Sequence, residues 1–310
     1  MSALICGSMA YDTIMIFHDK FKNHILPDKV HMLNVSFLVP VIRREFGGCA
    51  GNIAYNLKLL GENPLIMATV GHDFEPYSQW LNCNQISTQY IKTLDNHYTG
   101  QAYITTDEDD NQITAFHPGA MSDSHKISVP DSDNIRIGIV SPDGKEGMQL
   151  HAQQFVEQNI PFIFDPGQGM PMFNGDELLE LLDLATYATF NDYESELMQE
   201  RTGLSLEQLA KRVDALIVTM GDKGSIIYSG RRRIKIPAVK AKELADPTGC
   251  GDAYRAGLLY GIINEYDWET TGRIASLLGS IKIEHYGTQN HSFTLDAFKE
   301  RYIESFGCAF

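Results

Sequence analysis

FGGCAGNIAYNLKLLGENPLIMATVGHD (residues 46–73) runs from a glycine-rich turn into an apolar-periodic stretch (Ile53, Leu57, Leu60), stops at Gly61, and resumes as the apolar run PLIMATVG. The spacing predicts a helix followed by a buried strand, which is one αβ unit. The unit recurs downstream. IRIGIV (135–140), IPFIFDP (160–166), YATFN (187–191) and ALIVTMG (215–221) read as strands, and GMQLHAQQFVEQN (147–159), GDELLELLDLA (175–185) and LEQLAKRV (206–213) read as the helices between them. Continuous apolar strands alternating with helices predict an α/β fold with a parallel sheet covered on both faces. At the N-terminus, ALICGSMAYD (3–12) predicts a further short strand, with Asp12 delivered to the sheet edge.

Two segments break this rhythm. Residues 29–46 and 99–121 alternate with strand periodicity and have no helix between the alternating runs, and the second folds back about DEDDN (107–111). They predict a small β-sheet lid on one domain spanning 1–310, with excursions at about 13–46 and 97–121.

Bulk composition narrows the function classes. The 310 residues are 43% hydrophobic and 21% charged, which is ordinary for a globular chain able to bury a large core. Forty acidic against twenty-five basic side chains give a formal charge of -15, which disfavours nucleic-acid and anionic membrane partners. Nucleotide binding stays open, because a few local N–H groups suffice for it. Five widely spaced cysteines without a CxxC predict reduced thiols and a cytoplasmic setting. MSALICGSMAYDTIMIF has no basic n-region, and no apolar run reaches the roughly 18 residues of a membrane span.

The densest chemistry lies in ADPTGCGDAYRAG (245–257). Gly249, Cys250 and Gly251 lead into a helical run, so successive N–H groups converge where a helix dipole favours an anion. Asp252 falls in the first turn, where a capping carboxylate is the alternative reading. Asp246, Pro247 and Thr248 make the turn more elaborate than a cap, and GxxxxGK[ST] does not occur.

DPTGCGDAYRAG resembles the C-terminal signature of the ribokinase-like (PfkB) kinases, and FGGCAGNIAYNLKLLG resembles their N-terminal di-glycine signature. NDYE (191–194) is similar to the family's NxxE element and TMGDKG (219–224) to its TxGxxG. The four lie in the family's order, and the resemblance spans essentially the whole chain. Within the family, FHPGAM (116–121), the DPTG form of the turn and EHYGTQ (284–289) most resemble bacterial adenosine kinases.

The resemblance implies a ribokinase-like three-layer α/β/α domain with a small lid, and 5′-phosphorylation of adenosine by ATP with Mg²⁺. It makes Asp252 the general base, with Gly249, Cys250 and Gly251 as the anion hole. Asp12, Gly48 and Asn52 would bind sugar hydroxyls, Phe116 would stack on a purine, and Ser8 and Gln168 would line the site. Asn191, Thr219, Gly221 and Gly224 would face the nucleotide, and Glu194 would act near Mg²⁺ through water. Cys250 stands where alanine is usual, which leaves the backbone N–H intact. Plainer readings stand beside several of these: a surface acid for Asp12, a helix cap for Asn52, a core side chain for Phe116, a loop residue for Gln168, and a strand-to-hairpin turn for 219–237. Arg231, Arg232 and Arg233 fit a solvated hairpin better than a nucleic-acid patch.

DEDDNQ fails as an EF-hand, with Gln112 at position six and Pro118 at position twelve, and the ten histidines show no zinc spacing. Kinases of a free sugar or another nucleoside, and a non-catalytic nucleoside sensor, are the competing readings. The lid is expected to close over the sugar, and an exposed lid sheet offers a surface for a homodimer.

Overall fold

The structure is a computed structural model that describes residues 2–25, 34–109, 111–132 and 134–310. In the first strand, β1 (Ser2–Cys6), Ala3 and Ile5 enter the apolar layer on one face and Leu4 and Cys6 the layer on the other. The same division recurs in β11 (Ala215–Thr219), with Ala215 and Ile217 on one side and Leu216 and Val218 on the other. A strand apolar on both faces needs helices over both.

The main sheet also holds β4 (Leu65–Gly71), β5 (Ser87–Leu94), β8 (Ile135–Val140), β9 (Phe162–Phe164), β10 (Tyr187–Asn191), β12 (Ser225–Ser229) and β13 (Arg232–Ile236). Its order is β13-β12-β11-β10-β9-β8-β1-β4-β5, parallel from β11 to β5 and closed at the other edge by the antiparallel β12–β13 hairpin. Helices α2 (Cys49–Leu59), α3 (Glu75–Cys83), α8 (Cys250–Ile263), α9 (Trp268–Ile283) and α10 (Leu295–Phe306) cover one face through Ile53, Leu57, Leu81, Leu258, Leu278 and Phe298. Helices α4 (Lys145–Glu157), α5 (Gly175–Leu184), α6 (Asp192–Thr202) and the short α7 (Leu206–Leu209) cover the other through Met148, Phe155, Leu181, Met198 and Leu209. This is the expected three-layer α/β/α architecture.

A second, smaller sheet, β3-β2-β6-β7, is built from β2 (Ala10–Ile16), β3 (Val41–Gly47), β6 (Gly100–Thr106) and β7 (Gln112–His117), with the short α1 (Phe21–His24) following β2. Two expectations need correction. The strand expected to deliver Asp12 to a sheet edge ends at Cys6, and Asp12 lies inside β2, paired with Glu45 and Ala102 within the second sheet. The break falls at Gly7 and Ser8, where the Ser8 N–H turns to the Pro142 carbonyl at 3.0 Å. Of the strand-like run 29–46, residues 29–33 lie outside the described residues, 34–40 form no strand, and β3 begins at Val41. Alternation there reflects no partner strand, and Leu38 is exposed. The 99–121 segment does form the β6–β7 hairpin; Asp110 of its turn lies outside the described residues.

Candidate active site

The parallel strands end together, and the sequence-predicted residues gather at those carboxyl ends, where open α/β sheets bind ligands. Ser8 follows β1, Asn191 ends β10, and Thr219 ends β11 directly opposite Asn191 in the ladder. Gln168 lies exposed in the 3₁₀ turn Gly167–Met172 after β9.

Around Asp12 and Ser8, the two glycines before α2 are required by contacts. A Cβ on Gly47 would come within 2.4 Å of Asp12 Oδ2, and one on Gly48, whose φ is +86°, within 2.5 Å of the Ser8 carbonyl oxygen. The expectation that Gly48 meets the sugar is therefore joined by a structural need: its Cβ direction is filled by the backbone of residues 8–10. Ser8 caps α2, its Oγ accepting from the Cys49 N–H at 3.1 Å. Burial, Glu45 and Asp246 together push the Asp12 carboxyl up to about 6.

Asn52 is no cap. Its Nδ2 donates to Asp252 Oδ2 at 2.8 Å and its Oδ1 accepts from Gln289 Nε2 at 3.0 Å. Burial raises Asp252 to about 6, against the Asn52 hydrogen bond and the Arg255 charge, while Asp165 adds to the rise. A carboxylate balanced there is mostly charged at neutral pH yet basic enough to take a proton.

Asp252 sits in the first turn of α8, whose cap Gly249 has φ +79° and faces Thr288. The N–H groups of Gly249, Gly251 and Asp252 have no hydrogen-bond partner among the described residues. The Cys250 N–H, expected to point into the anion hole, instead donates to the Pro247 carbonyl at 3.2 Å, closing the turn. Under this turn lies Lys282, fully buried, its Nζ donating to the carbonyls of Asp246 at 2.7 Å and His285 at 3.2 Å. Burial lowers the pKa of Lys282, with Asp246, Cys250 and Asp252 opposing. The Asp246 carboxylate accepts from the Thr248 and Gly287 N–H groups at 2.9 and 3.0 Å, which fixes the turn from its other side.

Arg255, one turn beyond Asp252, is buried and forms a two-pronged ion pair with Asp165 at 2.9 and 2.8 Å, with Glu194 3.9 Å away. Sequence reading passed over Asp165, Arg255, Lys282 and Gln289, although Arg255 and Gln289 stand inside motifs quoted for other residues. Charges of opposite sign scattered along a sequence show no pairing.

At the start of α6, Asn191 and Glu194 engage each other. Asn191 Oδ1 accepts from the Glu194 N–H at 2.7 Å, and Glu194 Oε2 accepts from the Asn191 N–H at 2.8 Å, a capping box that starts α6. Thr219 Oγ1 donates to the Phe190 carbonyl at 3.4 Å. A Cβ on Gly224 would strike the Ile236 carbonyl at 2.1 Å, whereas one on Gly221 would meet open space. Phe116 is 53% exposed on β7 and lies in one cross-strand row with Ala102 and Asp12, so its ring shares the face of the smaller sheet that carries Asp12.

The described residues contain no group of three or more His, Cys, Asp or Glu side chains able to hold a metal ion. Such a donor set fits Mg²⁺ only as an ion carried mainly by phosphates. Among the described residues, no helix is long and apolar enough to cross a membrane.

The model of the pfkB family carbohydrate kinases matches residues 8–294, and the chain belongs to that family. The Burkholderia thailandensis nucleoside kinase in complex with inosine superimposes with a TM-score of 0.91 at 48% identity, covering 99% of each chain. Its complex with ADP-inosine gives 0.88 at 50% identity, covering 99% of this chain and 97% of that one. A nucleoside kinase of Methanocaldococcus jannaschii is 34% identical over 270 residues, 86% of this chain and 89% of its own length. The adenosine kinase of Sinorhizobium meliloti, at 21% identity and a TM-score of 0.78 over 97% of this chain and 99% of its own, is alike in fold. The chain is thus a ribokinase-like phosphotransferase.

Proposed function

We propose that this kinase transfers the γ-phosphoryl group of ATP to the 5′-hydroxyl of a purine nucleoside, adenosine or its 6-oxo analogue inosine. The observation that carries the reading is the Asp252 carboxylate at the start of α8, beside amides without partners among the described residues and tied to Asn52. Asp252 takes the hydroxyl proton as that oxygen attacks the γ-phosphorus. The bond from phosphorus to the β–γ bridging oxygen breaks, and ADP leaves with its electron pair. The N–H groups of Gly249, Gly251 and Asp252 receive the charge on the transferring oxygens, so catalysis is mainly positioning and electrostatics.

Asp12, kept near the sugar by the lid, accepts from the ring hydroxyls, with the spare Asn52 Nδ2 proton and the Ser8 hydroxyl as further partners. Phe116 stacks on the base. Gln168 offers both a donor and an acceptor, which suits either a 6-amino or a 6-oxo group. Thr219 and Gly221 border the nucleotide, and Asn191 and Glu194 border its phosphates. Mg²⁺ entering with ATP would supply charge neutralisation, with Glu194 facing it. The reading covers residues 1–310 as one domain whose lid closes over the acceptor, in a cytoplasmic setting, with the edge strands β3 and β7 offered to a second copy.

ADP release with Mg²⁺ and ATP across adenosine, inosine, guanosine, cytidine, ribose and fructose tests the reading. A preference for purine nucleosides is expected; turnover confined to free sugars would overturn the acceptor, and no turnover with any would point to a sensor.

A further inference from the structure

A path of hydrogen bonds leads to Asp252 from Trp80 on α3. Trp80 Nε1 donates to Gln289 Oε1 at 2.9 Å, Gln289 Nε2 donates to Asn52 Oδ1 at 3.0 Å, and Asn52 Nδ2 donates to Asp252 Oδ2 at 2.8 Å. The two ends of a side-chain amide are nearly identical in shape, so neighbours of fixed polarity must set their direction. Here two do. An indole N–H only donates, so Gln289 meets it with oxygen. The Tyr77 hydroxyl donates to the Gly47 carbonyl at 2.9 Å, which leaves it to accept from Gln289 Nε2 at 2.5 Å. Once Gln289 is fixed, only the oxygen of Asn52 can face it, and the Asn52 amino group is turned to Asp252.

We propose that Trp80, Tyr77 and Gln289 are positioning residues for Asp252: they lock Asn52 as a donor, which holds the carboxylate in place and in its charged form. Without the lock, the Asn52 amide is free to rotate and set its oxygen against the carboxylate, and two facing acceptors disfavour the charge. Other groups facing Asp252 are Arg255, Asp165 and the Cys49 thiol, with Cys250, Lys282 and Tyr77 near. Of these, only Tyr77 bears on the rotation of Asn52, through Gln289. The relay joins α2, α3, α8 and the segment after α9, so the base is aligned by elements that meet only in the folded chain.

The inference rests on the reading of Asp252 as the base, and its test is built to separate the two. Asp252 is titrated directly by carboxyl ¹³C NMR of the full-length enzyme without ligands, its resonance assigned by its absence in Asp252→Asn. Two variants are compared with the unchanged protein. Trp80→Phe removes the donor with part of the indole while keeping an aromatic ring toward Phe46, and Gln289→Met keeps about the same length, adds no charge and loses both ends of the amide. In both, the Asp252 midpoint is expected to rise by about one unit, a tenfold change in the ratio of charged to neutral forms at fixed pH. The acid limb of kcat should follow, with KM for ATP unchanged. An unmoved midpoint in either folded variant would overturn the proposal. A raised midpoint with an unmoved kcat profile would support the relay while removing Asp252 from the role of base.

Discussion

On the side proposed to hold the acceptor, Asp252 is held by Asn52, 200 residues earlier in the chain, and Asn52 by Gln289, 237 residues later. On the side proposed for the donor, Asn191 and Glu194 hold each other three residues apart. The difference has a chemical sense. A base must be aligned to a fraction of an ångström against an acceptor and a phosphorus, and several rigid elements converging on it give that alignment. A nucleotide's phosphates are bound by charge and by backbone at a helix start, which one turn supplies locally. The burial that accompanies the acceptor side raises Asp12 and Asp252 to about 6. On the donor side burial also raises Glu194, against the pull of Arg255, but its hydrogen bonds come from its own cap.

If the contrast is sound, acceptor-side substitutions should act on kcat and donor-side ones on ATP binding. The largest effect is expected at the base. Asp252→Asn should lower kcat by about 10²–10⁴-fold while both substrates still bind, measured by ADP release and by calorimetric titration. It should also stabilise the unliganded protein. A carboxyl whose folded pKa lies above its unfolded value contributes stability below about pH 4 that is lost as pH rises through about 6. At pH 8 the amide variant escapes that loss, and its thermal midpoint should lie a few degrees higher; equal midpoints would mean that Asp252 titrates normally.

Lys282→Met comes next. It leaves the carbonyls of Asp246 and His285 without their charged donor inside the protein, at a cost of about 2–3 kcal/mol. The thermal midpoint should fall by about 5 °C or more, and kcat should fall with it as the turn before α8 loosens. A stable variant with full kcat would remove Lys282 from the support of the anion hole. In the proposed binding mode, Asp12 accepts from the sugar hydroxyls in its charged form. Acceptor KM in the unchanged enzyme should therefore rise about tenfold for each pH unit below about 6 and stay level above it, and Asp12→Asn should flatten that dependence. The smallest effect is assigned to the donor side. Glu194→Gln keeps an acceptor for the Asn191 N–H, so it should cost under about 1 kcal/mol and raise KM for ATP without moving KM for the acceptor. A kcat loss as large as that of Asp252→Asn would erase the contrast between the two sides.

Residues 46–73 carried a complete αβ unit in their spacing, and α2 and β4 lie where the sequence predicts them. The capping box at Asn191, the glycines before α2 and the hairpin after Thr219 were equally local, because helix starts, positive φ and two-residue periodicity are written within a few residues. Other features were not local. The strand through Asp12 was read as one because Gly7, Ser8 and Met9 are small or apolar; only the Ser8 bond to Pro142 reveals the step from one sheet to the other. The Cys250 N–H was assigned to the anion hole because nothing in a sequence shows the Pro247 carbonyl folding back onto it. The amino-acid sequence alone thus determined the layers and the order of the motifs and singled out Asp252 for the proposed base, since these follow from periodicity and from residue types in short runs. Tertiary structure decided what surrounds that base: Asn52, Gln289, Arg255 and Lys282 lie far from it or unremarked beside it in the chain. Their hydrogen bonds and burial exist only once distant segments meet.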